Sequence, residues 1–373
     1  MAAVLWLGAA LVLGSVLMRQ AGRPDGQFGI DFADYHVAAT RLAAGETPYA
    51  SEMLAGPVDA QGQDRYRYPP AFAQLLWPLA GLPAGVAAVV WLAVQAGCVL
   101  AAAWIALRMG GARGAEPLLW AGAATTLFMP VFDTLWKGNV SGVMALQVAL
   151  LLVPGALGGL ALASAALLKL TPAALFPAIV AAGRRAASAS LAALALAVAV
   201  SAAIAPGAWL DYARVLPNLL AGSADYATNV APWAVAERLS GSDQIGSLVR
   251  LASLVVAVGS VVAAVALARR PGGWPAAVTF GVLASLLAPA ALWYHYLAVL
   301  LPLALFAWPA ASAIQRSMLA AGGALVSAGV AFLPLAVIGS GLMLAGSLGA
   351  RWPRPVSSRV VVDARPAVVD ATT

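Results

Sequence analysis

The chain has 373 residues, of which 62% are apolar and 10% charged, with a net charge of +6. Soluble domains run at roughly 45–50% apolar and 25% charged, so a water-soluble globule cannot hide this surface. The basic residues stand singly or in pairs between apolar runs, a topogenic pattern that excludes a nucleic-acid-tracking face, and the single cysteine, Cys98, excludes an internal disulfide.

The first apolar run, Ala2 to Met18, lacks a basic leader and a clean small-residue cleavage site. It reads as a retained first span and not as a signal peptide. A polar stretch at 19–67 follows and holds seven acids: Asp25, Asp31, Asp34, Glu46, Glu52, Asp59 and Asp64. Within it, residues 31–45 place Phe32, Tyr35, Val37, Ala38, Leu42 and Ala43 at near-helical spacing before Gly45. That pattern predicts a helix lying on the membrane surface. Further apolar runs fall at about 69–82, 84–107, 116–133, 139–153, 156–183 and 187–206. A second polar stretch at 207–245 carries Asp211, Asp225, Glu237 and Asp243, and apolar runs resume at 246–268, 273–290, 296–309 and 317–350. The expected fold is all-α and polytopic, with roughly 10–12 membrane helices, several of them short. Residues 1–350 read as one transmembrane domain, and the polar tail 351–373 as a disordered cytoplasmic segment.

Arg184–Arg185, Arg269–Arg270, Arg316 and the cluster Arg351, Arg354 and Arg359 sit at run ends. The positive-inside bias puts them in the cytoplasm and the two acid-rich stretches, with the turn at His295, on the outer face of a cell membrane. A bacterial inner or plasma membrane is the expected location. The run 69–82 either crosses fully or dips in and returns. In the second case, which charge bias favours, Arg108 and Arg113 lie inside and Lys169 marks an outer turn between two half-length helices.

Few side chains can carry chemistry. Asp31 and Asp34 lie one helical turn apart, so they share a face. A partly desolvated carboxylate at a membrane boundary suits general-base work, and an Asp at a helix start equally suits capping. His295, one of two histidines, stands among Trp293, Tyr294 and Tyr296. It is either an interfacial side chain or a binding group for a sugar or phosphate. Lys169 interrupts an apolar run, where an ammonium is costly unless it faces a polar cavity or snorkels to the surface. Arg65 and Arg67 precede Tyr68-Pro69-Pro70 and suit phosphate contact. Trp136-Lys137-Gly138-Asn139 is a further polar break, and Gly138 with Gly142 has the spacing of a helix-packing pair. No Walker A motif, G-x-S-x-G elbow or Asp-x-Asp pair occurs, and two histidines with one cysteine disfavour a His/Cys zinc site.

The stretch from Asp31-Phe32-Ala33-Asp34-Tyr35 to Gly45-Glu46-Thr47-Pro48-Tyr49 resembles the first outer loop of GT-C glycosyltransferases, family 87 above all. Tyr68-Pro69-Pro70 with Pro78 and Pro83, Gly138-Asn139, Lys169-Leu170-Thr171-Pro172, and Pro289 through Trp293 to His295 are similar to further segments of that family, in the same order. The resemblance runs from about residue 4 to 310.

It implies a multi-pass enzyme that moves a hexose or pentose, mannose foremost, from a polyprenyl-phosphate carrier to a hydroxyl on the outer face. Asp31 aligns with the general base, and His295 with a histidine that holds acceptor or phosphate. Asp34, Tyr35, Arg67, Tyr68, Asn139, Lys169 and Tyr294 are the expected substrate contacts. The acceptor would be a glycolipid, a glycan or a protein hydroxyl. No metal or other cofactor is expected, nor any nucleic-acid partner. Some mannosyltransferase members have Asp and His where this chain has Trp293 and Tyr294. A transporter or flippase for a lipid-linked or small polar substrate is the competing reading, although such proteins keep their polar elements near the bilayer midplane.

Overall fold

The computed structural model describes residues 1–21, 28–58, 66–221 and 226–349. The tail from 351 onward, and with it Asp25, Asp59, Asp64, Arg65 and Asp225, lies outside the described residues. Every regular element among those described is a helix; the sole strand-like feature is an isolated antiparallel bridge between Asn229 and Trp293. The chain is an all-α polytopic membrane protein, as its composition requires.

Three helices are long and apolar enough to cross a bilayer: Ala84–Met109, Arg184–Ile204 and Asp243–Ala268. At about 1.5 Å per residue they exceed the roughly 30 Å hydrocarbon core. A further apolar pair, Glu116–Leu127 and Met129–Lys137, is bent by 62°, the geometry of a broken span or a re-entrant loop. The break falls at Phe128, just before Pro130, whose ring and missing N–H prevent an unbroken helix. Seven shorter apolar helices, including Ala2–Leu17 and Ala156–Leu168, accompany them. The short apolar runs read from the sequence thus form short or interrupted helices.

The segment 69–82 forms two small helices, Pro70–Leu75 and Trp77–Ala80. Together they extend about 15 Å, half of what a crossing needs. No continuous crossing helix forms over this segment. Ala156–Leu168 likewise stops at Lys169, which is extended, and the chain resumes as Thr171–Leu175 and Phe176–Ala182. Pro172 and Pro177 fix that restart, since neither can donate into a preceding turn.

The expected surface helix is Ile30–Ala43. Its buried side, Phe32, Tyr35, Ala38, Ala39 and Leu42, packs on protein: on Pro70–Leu75, Trp77–Ala80 and Ala84–Met109. The second acid-rich stretch is mostly helical too, in Pro206–Ala221 and Pro232–Ser240. Asp211 lies near Arg214 one turn away at 3.4 Å, and Asp243 occupies the first turn of its long helix behind the Ser242 cap. An acid in a first turn complements the positive end of the helix dipole. Asp243 thus serves a helix end, and Asp211 a neighbouring guanidinium.

Candidate active site

The site is assembled where the Ile30–Ala43 helix meets the end of Met129–Lys137. Gly138 ends the latter at φ 66°, a left-handed conformation that favours glycine. The turn holds three docking contacts. The Gly29 N–H donates to the Trp136 carbonyl at 2.8 Å, the Trp91 indole N–H donates to the Gly138 carbonyl at 2.7 Å, and Phe32 stacks on Trp91 at 5.8 Å. A Cβ at Gly138 would stand 2.7 Å from the Phe32 Cβ. Gly138→Val is therefore expected to cost about 2 kcal/mol or more, from left-handed strain and overpacking together. A thermal-unfolding series in detergent checks this, and a wild-type midpoint would contradict the docking role of the turn. Gly142 is the true packing glycine of the pair, set against Gln95 and Val99 of Ala84–Met109.

The same turn delivers Asn139, which is 2% exposed. Its amide nitrogen donates to Asp31 Oδ2 at 2.7 Å and to the Tyr35 hydroxyl at 3.2 Å. Its amide oxygen accepts from the Ser141 N–H and hydroxyl at 3.0 and 2.7 Å. Tyr35 and Tyr68 share a 2.9 Å hydroxyl contact. Burial, then the neighbouring Tyr68 and Asp31, push the Tyr35 phenol well above its ordinary pKa, and burial and Asp31 push Tyr68 up likewise. Both therefore stay neutral hydrogen-bonding groups around the carboxylate.

Asp31 does not cap its helix. The N-cap is Gly29, with no side-chain cap bond, and Asp31 lies in the first turn with its carboxylate turned to Asn139. Its side chain is 28% exposed, and His295 Nε2 lies 3.9 Å from its Oδ2. His295 is 2% exposed and sits between aromatic rings, with Trp293 near-parallel at 6.4 Å and Tyr296 edge-on at 4.8 Å. Trp293 in turn stacks on Tyr226 at 4.1 Å. The far ring nitrogen, Nδ1, faces Asp133 Oδ2 at 3.2 Å, and Lys137 reaches the same oxygen at 3.1 Å.

Lys169 lies over the Tyr296 ring, 2.7 Å from its centroid, a cation–π placement for an ammonium inside an apolar structure. Asp31 and Arg67 are close enough to Lys169 to act on its charge. Beside Lys169 and Tyr296 runs a narrow apolar cavity of about 50 Å³. It follows the Ser141–Leu151 helix from Val140, next to Asn139, to Leu151, with Leu175 and Leu286 on its walls. That path is about 16 Å at the helical rise.

The structure thus brings Asp31, Tyr35, Tyr68, Asn139, Lys169 and His295 into one site, with Arg67 at its edge. Asp34 sits one turn along, half-buried, with interactions of its own. Tyr294 is turned elsewhere: its hydroxyl donates to the Val326 carbonyl at 2.6 Å, with the Ser327 carbonyl at 3.2 Å. The alternation along Trp293–Tyr296 gives the site His295 and Tyr296 instead. Asp133 is the residue that sequence reading passed over. Its signal was present, since a carboxylate at the end of an apolar run demands a partner.

Among the described residues, no three His, Cys, Asp or Glu side chains gather as a metal-binding group. No curated protein and no solved structure matches the chain. The family description "Glycosyltransferase family 87" matches residues 66–292, more than half of it. That span includes Tyr68, Asn139 and Lys169, while Asp31 and His295 fall outside it, so it is narrower than the resemblance traced from residue 4 to 310. The chain belongs to glycosyltransferase family 87.

Proposed function

We propose that this glycosyltransferase takes its sugar from a polyprenyl-phosphate carrier and passes it to a hydroxyl acceptor on the outer face of the cell membrane, with Asp31 as general base. The observation that carries the reading is the placement of Asp31. Asn139 holds one carboxylate oxygen, and the side chain is still accessible and stands opposite a histidine and near a lysine.

In this mechanism the acceptor hydroxyl gives its proton to Asp31 as its oxygen attacks the anomeric carbon. The bond from that carbon to the phosphate oxygen breaks, the polyprenyl monophosphate departs, and the configuration inverts. Negative charge develops on the phosphate, and fixed cations placed beside it lower the barrier. Lys169 and Arg67 fill that role, so the reading asks for no metal. The prenyl units next to the phosphate follow the apolar groove along Ser141–Leu151, and the rest of the chain lies in the bilayer. Tyr35, Tyr68 and Asn139 set the carboxylate, and Asp34 borders the acceptor side. Mannose leads the candidate sugars. Glycolipids, glycans and protein hydroxyls are the candidate acceptors.

Charge supports the outer location: Arg184 and Arg185 open one long apolar helix and Arg269 and Arg270 follow another, the ends that the positive-inside bias assigns to the cytoplasm. The test is a donor screen on purified protein in lipid nanodiscs, with product masses as the readout. Polyprenyl-phosphate sugars are expected to give a glycosylated product, and nucleotide sugars none. Transfer from nucleotide sugars alone would overturn the donor assignment, and substrate movement across vesicles without a new glycosidic bond would favour a flippase.

A further inference from the structure

We propose that Asp133 is a positioning residue that fixes the His295 tautomer, so that Nε2 presents a lone pair to a hydroxyl of the acceptor and not a proton to the donor phosphate. The inference rests on the transferase reading and assigns one residue within that site.

A carboxylate only accepts, so the 3.2 Å contact between His295 Nδ1 and Asp133 Oδ2 requires the proton on Nδ1. Lys137 at 3.1 Å balances the Asp133 charge, and a ring only 2% exposed disfavours the charged form. The charged groups facing the imidazole are Asp31, Asp133 and Lys137. A neutral imidazole with Nδ1–H carries its lone pair on Nε2. That atom is buried and has no hydrogen-bond partner, though Asp31 Oδ2 lies only 3.9 Å away. Two acceptors separated by this gap cannot satisfy each other. They are complementary to a ligand that donates, and an acceptor with two neighbouring hydroxyls fits. The reacting hydroxyl gives its proton to Asp31, and the adjacent one donates to Nε2. A phosphate oxygen brings no donor to either. Trp293 and Tyr296 hold the ring plane, so rotation does not offer an easy alternative.

The chain has two histidines, His36 and His295, which makes the tautomer directly readable. Full-length protein labelled with 15N-histidine in nanodiscs gives two imidazole spin systems, and a His36→Gln variant assigns them. The expected spectrum shows His295 with a protonated Nδ1 and a bare Nε2, a state that Asp133→Asn disturbs and Asp133→Glu keeps. In steady-state assays Asp133→Asn raises the acceptor KM by about tenfold or more, in line with losses on removing a histidine's orienting carboxylate. The donor KM stays unchanged, and Asp133→Glu recovers part of the loss. An imidazolium or an Nε2–H tautomer in the wild type would overturn the proposal, as would a rise in donor KM with acceptor KM unmoved. If wild-type protein forms no product from any donor, the transferase reading fails, while the spectrum still decides the tautomer.

Discussion

Asp31→Asn is expected to lower turnover by about 10²–10⁴-fold, the usual contribution of a positioned general base, while leaving the fold unchanged. The amide has the shape of the carboxylate and retains an oxygen for the 2.7 Å bond from Asn139. It has no basic oxygen for the hydroxyl proton. Stability should hold because the helix start does not depend on Asp31: its N-cap is Gly29, and no side-chain cap bond is present. Initial rates and thermal midpoints measured on the same preparations separate the two roles. A variant that unfolds early and turns over normally per folded molecule would restore the capping interpretation.

The second large effect concerns Lys169. Lys169→Met is expected to cut turnover by about 10²–10³-fold, the cost of losing one preorganised charge beside a developing anion. Lys169→Arg should recover part of it. Stability should move the other way or not at all. An ammonium held against an aromatic ring in an apolar structure is costly to fold around, and methionine fills similar volume without charge. Loss of activity with equal or higher thermal stability is the signature of a functional lysine. Equal loss of both would make Lys169 a structural anchor for the break after Leu168.

Much of this was legible in the chain before folding. Apolar runs and their proline breaks foretold an all-α membrane protein with short spans, because every backbone group in lipid must bond within its own helix. The pattern Phe32, Tyr35, Ala38, Leu42 foretold the Ile30–Ala43 helix, which stops just before Gly45. Four scattered segments, around Asp31, Asn139, Lys169 and His295, marked the residues that fold together. Their convergence depends on packing. It is the left-handed Gly138, the Gly29 N–H on the Trp136 carbonyl and Phe32 on Trp91 that bring the Asp31 turn to Asn139. The partner that Asp133 demands looked supplied by Lys137, an ordinary i,i+4 contact; only the fold reveals His295 as its second partner. Tyr294 and Tyr296 could not be told apart by type, since backbone direction alone decides which ring faces Lys169.

The central claim is tested most directly by the stereochemistry of a single reaction. Purified wild-type protein in nanodiscs would be supplied with a polyprenyl-phosphate mannose of defined β configuration and a soluble polyol or glycan acceptor, and the new linkage read by the anomeric coupling of the product. A one-step displacement assisted by Asp31 predicts an α-linked product, with free polyprenyl phosphate released in equal amount. A β-linked product would contradict it, since retention cannot arise from a single back-side displacement.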